Sequence, residues 1–535
     1  MKKTDSKIIS LNELIFVLYS FVVFSSFLYV FLYRHFNSEY FLTAFIISCL
    51  VIIIALVFLC RPLLTKVNGI KIKPANRQKE KNKKLIAAFY LIPFIIFMLE
   101  FVAFYPGGYI SDLFDQFCQA TGKTGYNDWH PVYHTLLAYK LPLLISGGQI
   151  GSIVFFQIIE LSLVIGYALS TLNKYISTKL TVVIMLFWVL NPQIIEYSVI
   201  PFKDVMFMIF AVLLSAYSLN IYFTDGKWFN KKINIAMYAF SVASIALVRH
   251  NGILYAAAFL LVPILYTDIK KALLIILCIA LLTGGVKIPL YSALKVEKPE
   301  QRQTETLGLP MTVIGAVASE KPEALNEETK RFIYSVADKK AWENDYILGS
   351  FNVVKFDSKT NNNVIEEYGF KKVLPMMRDC FHTAPKEALM GLICLTNPLY
   401  GFLGLHSFAV ISPYVEDNEI GIKQQGVDLL KKAERGYSSV VLVMFPHIFV
   451  YFGLLIYLLL ILLLSKCRIN RKSDIKKAIF VLPIFLYNFI TMLLLSGYHD
   501  ASRFFCYVFF VVPVTMIILI CDKKPPAFSK AQAIK

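Results

Sequence analysis

The sequence predicts an all-α polytopic membrane protein with about twelve transmembrane helices, and three observations carry that prediction. Of the 535 residues, 57% are hydrophobic, against roughly 45–50% in soluble domains. Apolar runs long enough to cross a bilayer recur along the whole chain. Lysines and arginines gather in alternate connections between those runs, as they do on the cytoplasmic side of membrane proteins. The formal charge of +18 is therefore read as membrane anchoring, and nucleic acid is not expected as a partner.

The first two runs, at about 11–33 and 41–60, make an N-terminal pair closed by a basic connection, together 1–84. The first run lacks a small-residue cleavage site, so it reads as a retained helix and not a signal peptide. A transmembrane core, 85–291, follows with runs at 85–105, 149–172, 180–198, 204–222, 233–248, 251–267 and 272–291. The pair across 233–267 demands a very tight turn at Arg249 to Gly252. Three further runs, 438–464, 478–496 and 503–521, belong to a C-terminal unit, 438–535.

A shorter run, 132–146, contains Tyr133, His134, Lys140 and Pro142, and whether it crosses fixes the sidedness of everything after it. If it does not cross, the connections on one side hold 29 Lys and Arg, and the short ones opposite hold roughly one or two each. If it did, the basic 465–477 cluster would move outside. The positive-inside rule thus predicts a re-entrant or interfacial helix at 132–146, with both termini cytoplasmic. The first outer loop, 106–148, and a large loop or cap, 292–437, are then extracytoplasmic.

The large loop is long enough for a small domain. Its segment 306–320 is apolar enough to lie against the membrane or a cap core. KPEALNEETKRFIYSVADKKAW reads as a capped surface helix, and 384–412 as an apolar interfacial segment too interrupted to count as a span. The nine cysteines show no CxxC or paired spacing, so neither a disulfide framework nor a zinc site is indicated.

The chemistry concentrates in YPGGYISDLFDQFCQATGKTGYNDWHPVYHT, residues 105–135. Pro106-Gly107-Gly108 ends the preceding helix. Ser111 can then cap a short helix carrying Asp112, Asp115 and Gln116, with the two carboxylates at i and i+3 on one face. An acidic amphipathic helix of this kind suits a membrane interface. Taken alone it is also an ordinary polar loop, but other polar groups fall at the same depth: His130 and His134, NPQIIEYSVIPFKD with Lys203 and Asp204, RHNG with Arg249 and His250, and GYHDASR with His499, Asp500 and Arg503. Arginine is scarce, 11 against 43 lysines, yet two of the eleven mark outer turns, and arginine is the better planar phosphate clamp. Arg249 and Arg503 could instead snorkel from helix ends, and Asp204 could pair locally with Lys203 or serve a helix N-terminus. Brought together, these groups would form one outer pocket with a carboxylate to act as base and cations for a phosphate leaving group.

YPGGYISDLFDQF with NDWHPVYHT, then PFKD, RHNG and HDASR, resembles a bacterial family of integral-membrane glycosyltransferases. That family is similar to the GT-C superfamily, which uses polyprenyl-phosphate-linked sugar donors and includes protein O-mannosyltransferases and aminoarabinose transferases. The resemblance runs over about 85–521, including the TLGLP and KPEALNEETK parts of the large loop. It implies a GT-C-like fold and transfer of a sugar to an extracytoplasmic glycan, teichoic acid or protein at a bacterial plasma membrane. It places catalytic acids at Asp112 and Asp204 and the donor phosphate on Lys203, Arg249 and Arg503; Asp115, as a second-choice acid, and Gln116, His130 and His499 are the further substrate contacts expected from the residues themselves. The two spans before 85 are extra, and no acidic pair adjoins Asp112. No obligatory metal or other cofactor is therefore expected, with a divalent cation left open. A polymerase or ligase of lipid-linked glycans is the alternative enzyme. A flippase for a lipid-linked saccharide is the alternative from another class, disfavoured because the charges collect at one face and no repeat is evident.

Overall fold

The computed structural model describes residues 10–35, 38–72, 82–298, 302–401, 412–449, 451–467 and 471–521, and among them the regular structure is helical. Among the described residues, six helices are long and apolar enough to cross a membrane: Leu11–His35, Tyr40–Asn68, Lys83–Ala103, Gly151–Tyr175, Lys203–Phe223 and Ile269–Ala293. The number reaches eight if each of two bent pairs is one span: Thr178–Val189 with Pro192–Ser198 (62°) and Tyr498–Phe505 with Val508–Ile520 (56°). Lys232–Val248, Gly252–Tyr266, Phe452–Lys466 and Leu482–Leu493 are apolar but shorter. By length and composition this is a multi-pass membrane protein with six to eight candidate spans, fewer than the twelve expected.

One expected span is divided. The run 438–464 separates into an amphipathic helix, Asp428–Met444, and the apolar Phe452–Lys466. Pro446 is the cause, because proline bars the residue before it from the helical region. Phe445 accordingly sits at φ −131°, ψ 46°.

Lys203–Phe223 is the axis of the bundle. Its most apolar stretch is 94% buried, against 11% for Tyr40–Asn68 and for Ile269–Ala293. It packs on Gly151–Tyr175, Lys232–Val248 and Val508–Ile520. Phe207, on this axis, meets Tyr255, Tyr487 and Tyr507 with ring centroids 4.6–5.5 Å apart, an aromatic floor of offset and edge-on pairs. The outer helices turn Phe58, Leu281 and Ile288 outward, as a lipid-facing surface does.

The segment 132–146 is one continuous helix with a π-helical middle at Thr135–Lys140, ending at Gly147 in the left-handed region (φ 67°). At about 1.5 Å per residue it is roughly 22 Å long, short of the ~30 Å hydrocarbon core. Its Tyr139 hydroxyl donates to the Pro201 carbonyl (3.0 Å), tying it to the start of the axial helix.

Residues 302–400 hold a separate helical core around Gly308–Glu320, with Phe332, Trp342, Phe351 and Val373 packed about it. The 306–320 segment is therefore cap core. The expected surface helix is Glu327–Val336, capped by Asn326, whose side chain accepts from the Thr329 amide (2.8 Å). The 384–400 part of the expected interfacial segment is instead the buried helix Pro385–Tyr400, packed between Gly308–Glu320, Leu11–His35 and Phe452–Lys466. Residues 402–411 of that segment lie outside the described residues.

From the cap the chain returns along 412–427 as an extended strap across the Pro-Gly-Gly break. Tyr109 N donates to Tyr414 O (2.8 Å), Glu416 N to Tyr109 O (2.9 Å) and Gln425 N to Tyr105 O (2.8 Å). Close approach explains two glycines here. A Cβ on Gly107 (φ 121°) would meet Val154 Cγ2 at 2.6 Å, and one on Gly426 would meet the Ala103 carbonyl at 1.8 Å.

Candidate active site

The helix Ser111–Thr121 forms because Leu113, Phe117 and Ala120 fall on one buried face while Gly122, in the left-handed region, closes it. Ser111 is not its cap. Ile110 occupies that position, and the Ser111 amide donates to Glu416 Oε2 (2.7 Å), a carboxylate supplied by the strap. An acid there also suits the positive end of the helix. Asp112, in the first turn, is left facing outward with its side chain 36% exposed.

Three elements remote in sequence converge on Asp112. Arg503 NH1 lies 3.6 Å from its Oδ2, and His130 Nε2 lies 3.8 Å from its Oδ1. Lys203 Nζ donates to His130 Nδ1 (2.9 Å). Because that bond uses the Nδ1 lone pair, the neutral imidazole carries its proton on Nε2, toward Asp112. Burial holds His130 neutral, its pKa well below the usual histidine value, and the Lys203 charge adds to the effect. Arg503 is also held by Asp500 Oδ1 (3.0 Å), and Asp500 Oδ2 accepts from Asn352 Nδ2 (2.6 Å) of the cap. Phe202 and Phe504 flank the Arg503 guanidinium, with ring centroids 5.5 and 5.2 Å away.

Asp204 and Arg249 form a second layer. They are ion-paired with each other, at 2% and 5% side-chain exposure. Arg249 Nε donates to Asn251 Oδ1 (2.6 Å), and its guanidinium stacks 3.9 Å from the Phe504 ring centroid. A carboxylate and a guanidinium spent on each other below the surface are poorly placed as a base and a phosphate clamp. They set the geometry of the tight RHNG turn. The local Lys203–Asp204 pair considered from sequence is not the one formed, since Lys203 reaches His130.

The remaining expected residues serve other contacts. Asp115 Oδ2 accepts from Gln119 Nε2 (2.8 Å), and burial raises its pKa against the opposing bonds from Gln119 and Asn127. Gln116 is buried and its Oε1 accepts from His134 Nδ1 (2.6 Å), a link between the 111–121 and 132–146 helices. His499 stacks on Tyr498, ring centroids 3.8 Å apart, and is not among the groups contacting Asp112. His250 Nε2 donates to the Asp128 carbonyl (2.9 Å), bracing the turn that presents His130.

Asp500 was expected at the depth of the pocket but without a role of its own; Glu416 and Asn352 were not anticipated and had no signal in the sequence. Among the described residues, no group of three or more His, Cys, Asp or Glu is arranged to hold a metal ion. The cluster thus sets the Asp112 carboxylate, 36% exposed, beside the Lys203 ammonium and the Arg503–Asp500 ion pair. Such a set can accept a proton from a hydroxyl and stabilise an anion next to it. No family model, no curated protein and no solved structure matches this chain.

Proposed function

We propose that the chain is an inverting GT-C-type glycosyltransferase of a bacterial plasma membrane. On this reading all twelve apolar runs contribute to the membrane unit, both termini are cytoplasmic, and the Asp112 cluster faces outward. It moves a sugar from a polyprenyl-phosphate carrier to an extracytoplasmic glycan, teichoic acid or protein. The observation that carries this reading is the convergence of Lys203, His130 and Arg503 on the half-exposed Asp112.

Asp112 takes the proton of the acceptor hydroxyl as that oxygen attacks the anomeric carbon. The bond from that carbon to the carrier phosphate breaks, and the phosphate leaves with the electron pair. Lys203 and Arg503 stabilise the charge it gains. His130 holds the Lys203 ammonium through Nδ1 and stands beside Asp112, its Nε2 3.8 Å from the carboxylate, while Asp204 and Arg249 support the turn behind it. No obligatory metal is invoked.

Mass spectrometry of surface glycans tests the reading in cells carrying the wild type, a deletion, or Asp112→Asn at equal membrane abundance. Loss of a general base lowers turnover by about 10²–10⁴-fold. Asp112→Asn is therefore expected to lose the same sugar as the deletion. If the deletion loses a sugar that Asp112→Asn retains, Asp112 is not the base.

A further inference from the structure

A second polar site lies next to the Asp112 cluster without belonging to it. It is a cavity of about 230 Å³ whose walls include Pro131, Leu247, His250, Ile253, Lys287 and Tyr291. One wall is the helix Ile269–Ala293, among the least buried in the protein, with Leu281 and Ile288 turned outward. The cavity therefore lies on the flank that meets lipid. The turn 128–131 divides the two sites, giving His130 to Asp112 on one side and Pro131 to this cavity on the other.

Lys287 stands six residues before the end of its helix at Ala293, about 9 Å along the axis. That is within reach of the interface for a lysine. Its ammonium lies 5.3 Å from the Tyr291 ring centroid, and among the described residues no carboxylate pairs with it. The neighbouring acid, Asp128, is engaged: its Oδ1 accepts from the Tyr291 hydroxyl (2.8 Å) and stands 3.9 Å from His250 Nε2. The cavity thus offers an ammonium with no ion-pair partner among the described residues and a half-exposed imidazole above an apolar wall of Leu247 and Ile253. A snorkelling lysine needs none of these additions; a bound headgroup uses all of them.

We propose that this cavity binds the phosphate headgroup of a bilayer lipid, with the lipid chain lying along Leu247, Ile253 and the Lys287 stem. The inference rests on the membrane character of the chain and not on the transferase reading.

The test is native mass spectrometry of the purified, delipidated full chain. Dioleoyl phosphatidic acid supplies a phosphate monoester, phosphatidylglycerol a diester and phosphatidylcholine a zwitterion, with inorganic phosphate as competitor. Retention of an anionic lipid over phosphatidylcholine is expected. Lys287→Gln should weaken it about fivefold and Lys287→Arg should restore it. Selectivity for phosphatidic acid would identify monoesters, the class that includes polyprenyl phosphates. Equal retention of both anionic lipids would identify phosphate lipids in general. Unchanged binding by Lys287→Gln, equal retention of phosphatidylcholine, or displacement by inorganic phosphate alone would overturn the proposal. Loss of the lipid in Asp112→Asn would also overturn it, by moving the ligand to the other cluster. Lys287 is exposed, so its variants should fold.

Discussion

Removing either partner of the Asp204–Arg249 pair should be far more damaging than removing both. The two side chains are 2% and 5% exposed, so Asp204→Asn strands a guanidinium and Arg249→Met strands a carboxylate where water cannot compensate. An uncompensated buried charge costs about 3–5 kcal/mol. The double variant strands no charge and loses only the neutral bond to Asn251, and methionine keeps an apolar body against Phe504, where the guanidinium stacked at 3.9 Å. Replacing a buried pair by neutral groups of similar volume is often close to neutral, so the coupling between the sites should approach the summed cost of the two single substitutions. Arg249→Lys is expected to be no rescue, because a point charge cannot both stack on the ring and hold Asn251. Unfolding in mild detergent followed by tryptophan fluorescence gives the four stabilities of the cycle. The expected order is wild type, then double variant, then the two singles. A double variant destabilised by the sum of the singles would refute mutual compensation, and undamaged singles would refute the burial.

Two further outcomes follow from the same geometry. Burial pushes the His134 pKa down to about 3, the nearby Lys203 charge contributing, whereas the unfolded chain titrates near 6.5. Below pH 6.5 the unfolded state takes a proton that the folded state refuses, so stability falls as pH drops from 6.5 toward 3, by about 2 kcal/mol between pH 7 and 5. His134→Asn should flatten that part of the pH dependence of unfolding; an identical slope in the variant would contradict it. Glu416→Ala uncaps Ser111–Thr121 at a cost of about 1 kcal/mol. Amide exchange in 111–114 should quicken several-fold while Glu416→Gln stays near wild type, and unchanged protection would remove Glu416 as the cap.

What the sequence disclosed was mostly local. The apolar runs are helical over most of their described length because length and composition suffice for that, and Pro106-Gly107-Gly108 breaks the chain where proline and glycine chemistry requires. The approach of Asp112 to His130, Lys203 and Arg503 could be anticipated because each lies at a break in an apolar run, and such breaks share a depth in a bilayer. Partner choice was not legible. Asp204 pairs with Arg249 and not with the adjacent Lys203, since Lys203 is drawn to a histidine 73 positions away. Nothing near Ser111 signals that its amide is taken by Glu416. The division at Pro446 was legible in principle, but the apolar residues on either side masked it.

The Glu416 contact also sets a timetable for biogenesis. It joins positions 305 residues apart, and Arg503 lies beyond it. At about 5–20 residues per second, translation takes roughly 15–60 s to travel from Ser111 to Glu416. During that interval the Asp112 helix has left the ribosome without its cap, and its carboxylate without its guanidinium. The core helices are inserted first and the cap is made next. The cluster is completed only as the final helices enter, so a chain truncated before residue 503 would keep most of the bundle and none of the finished site.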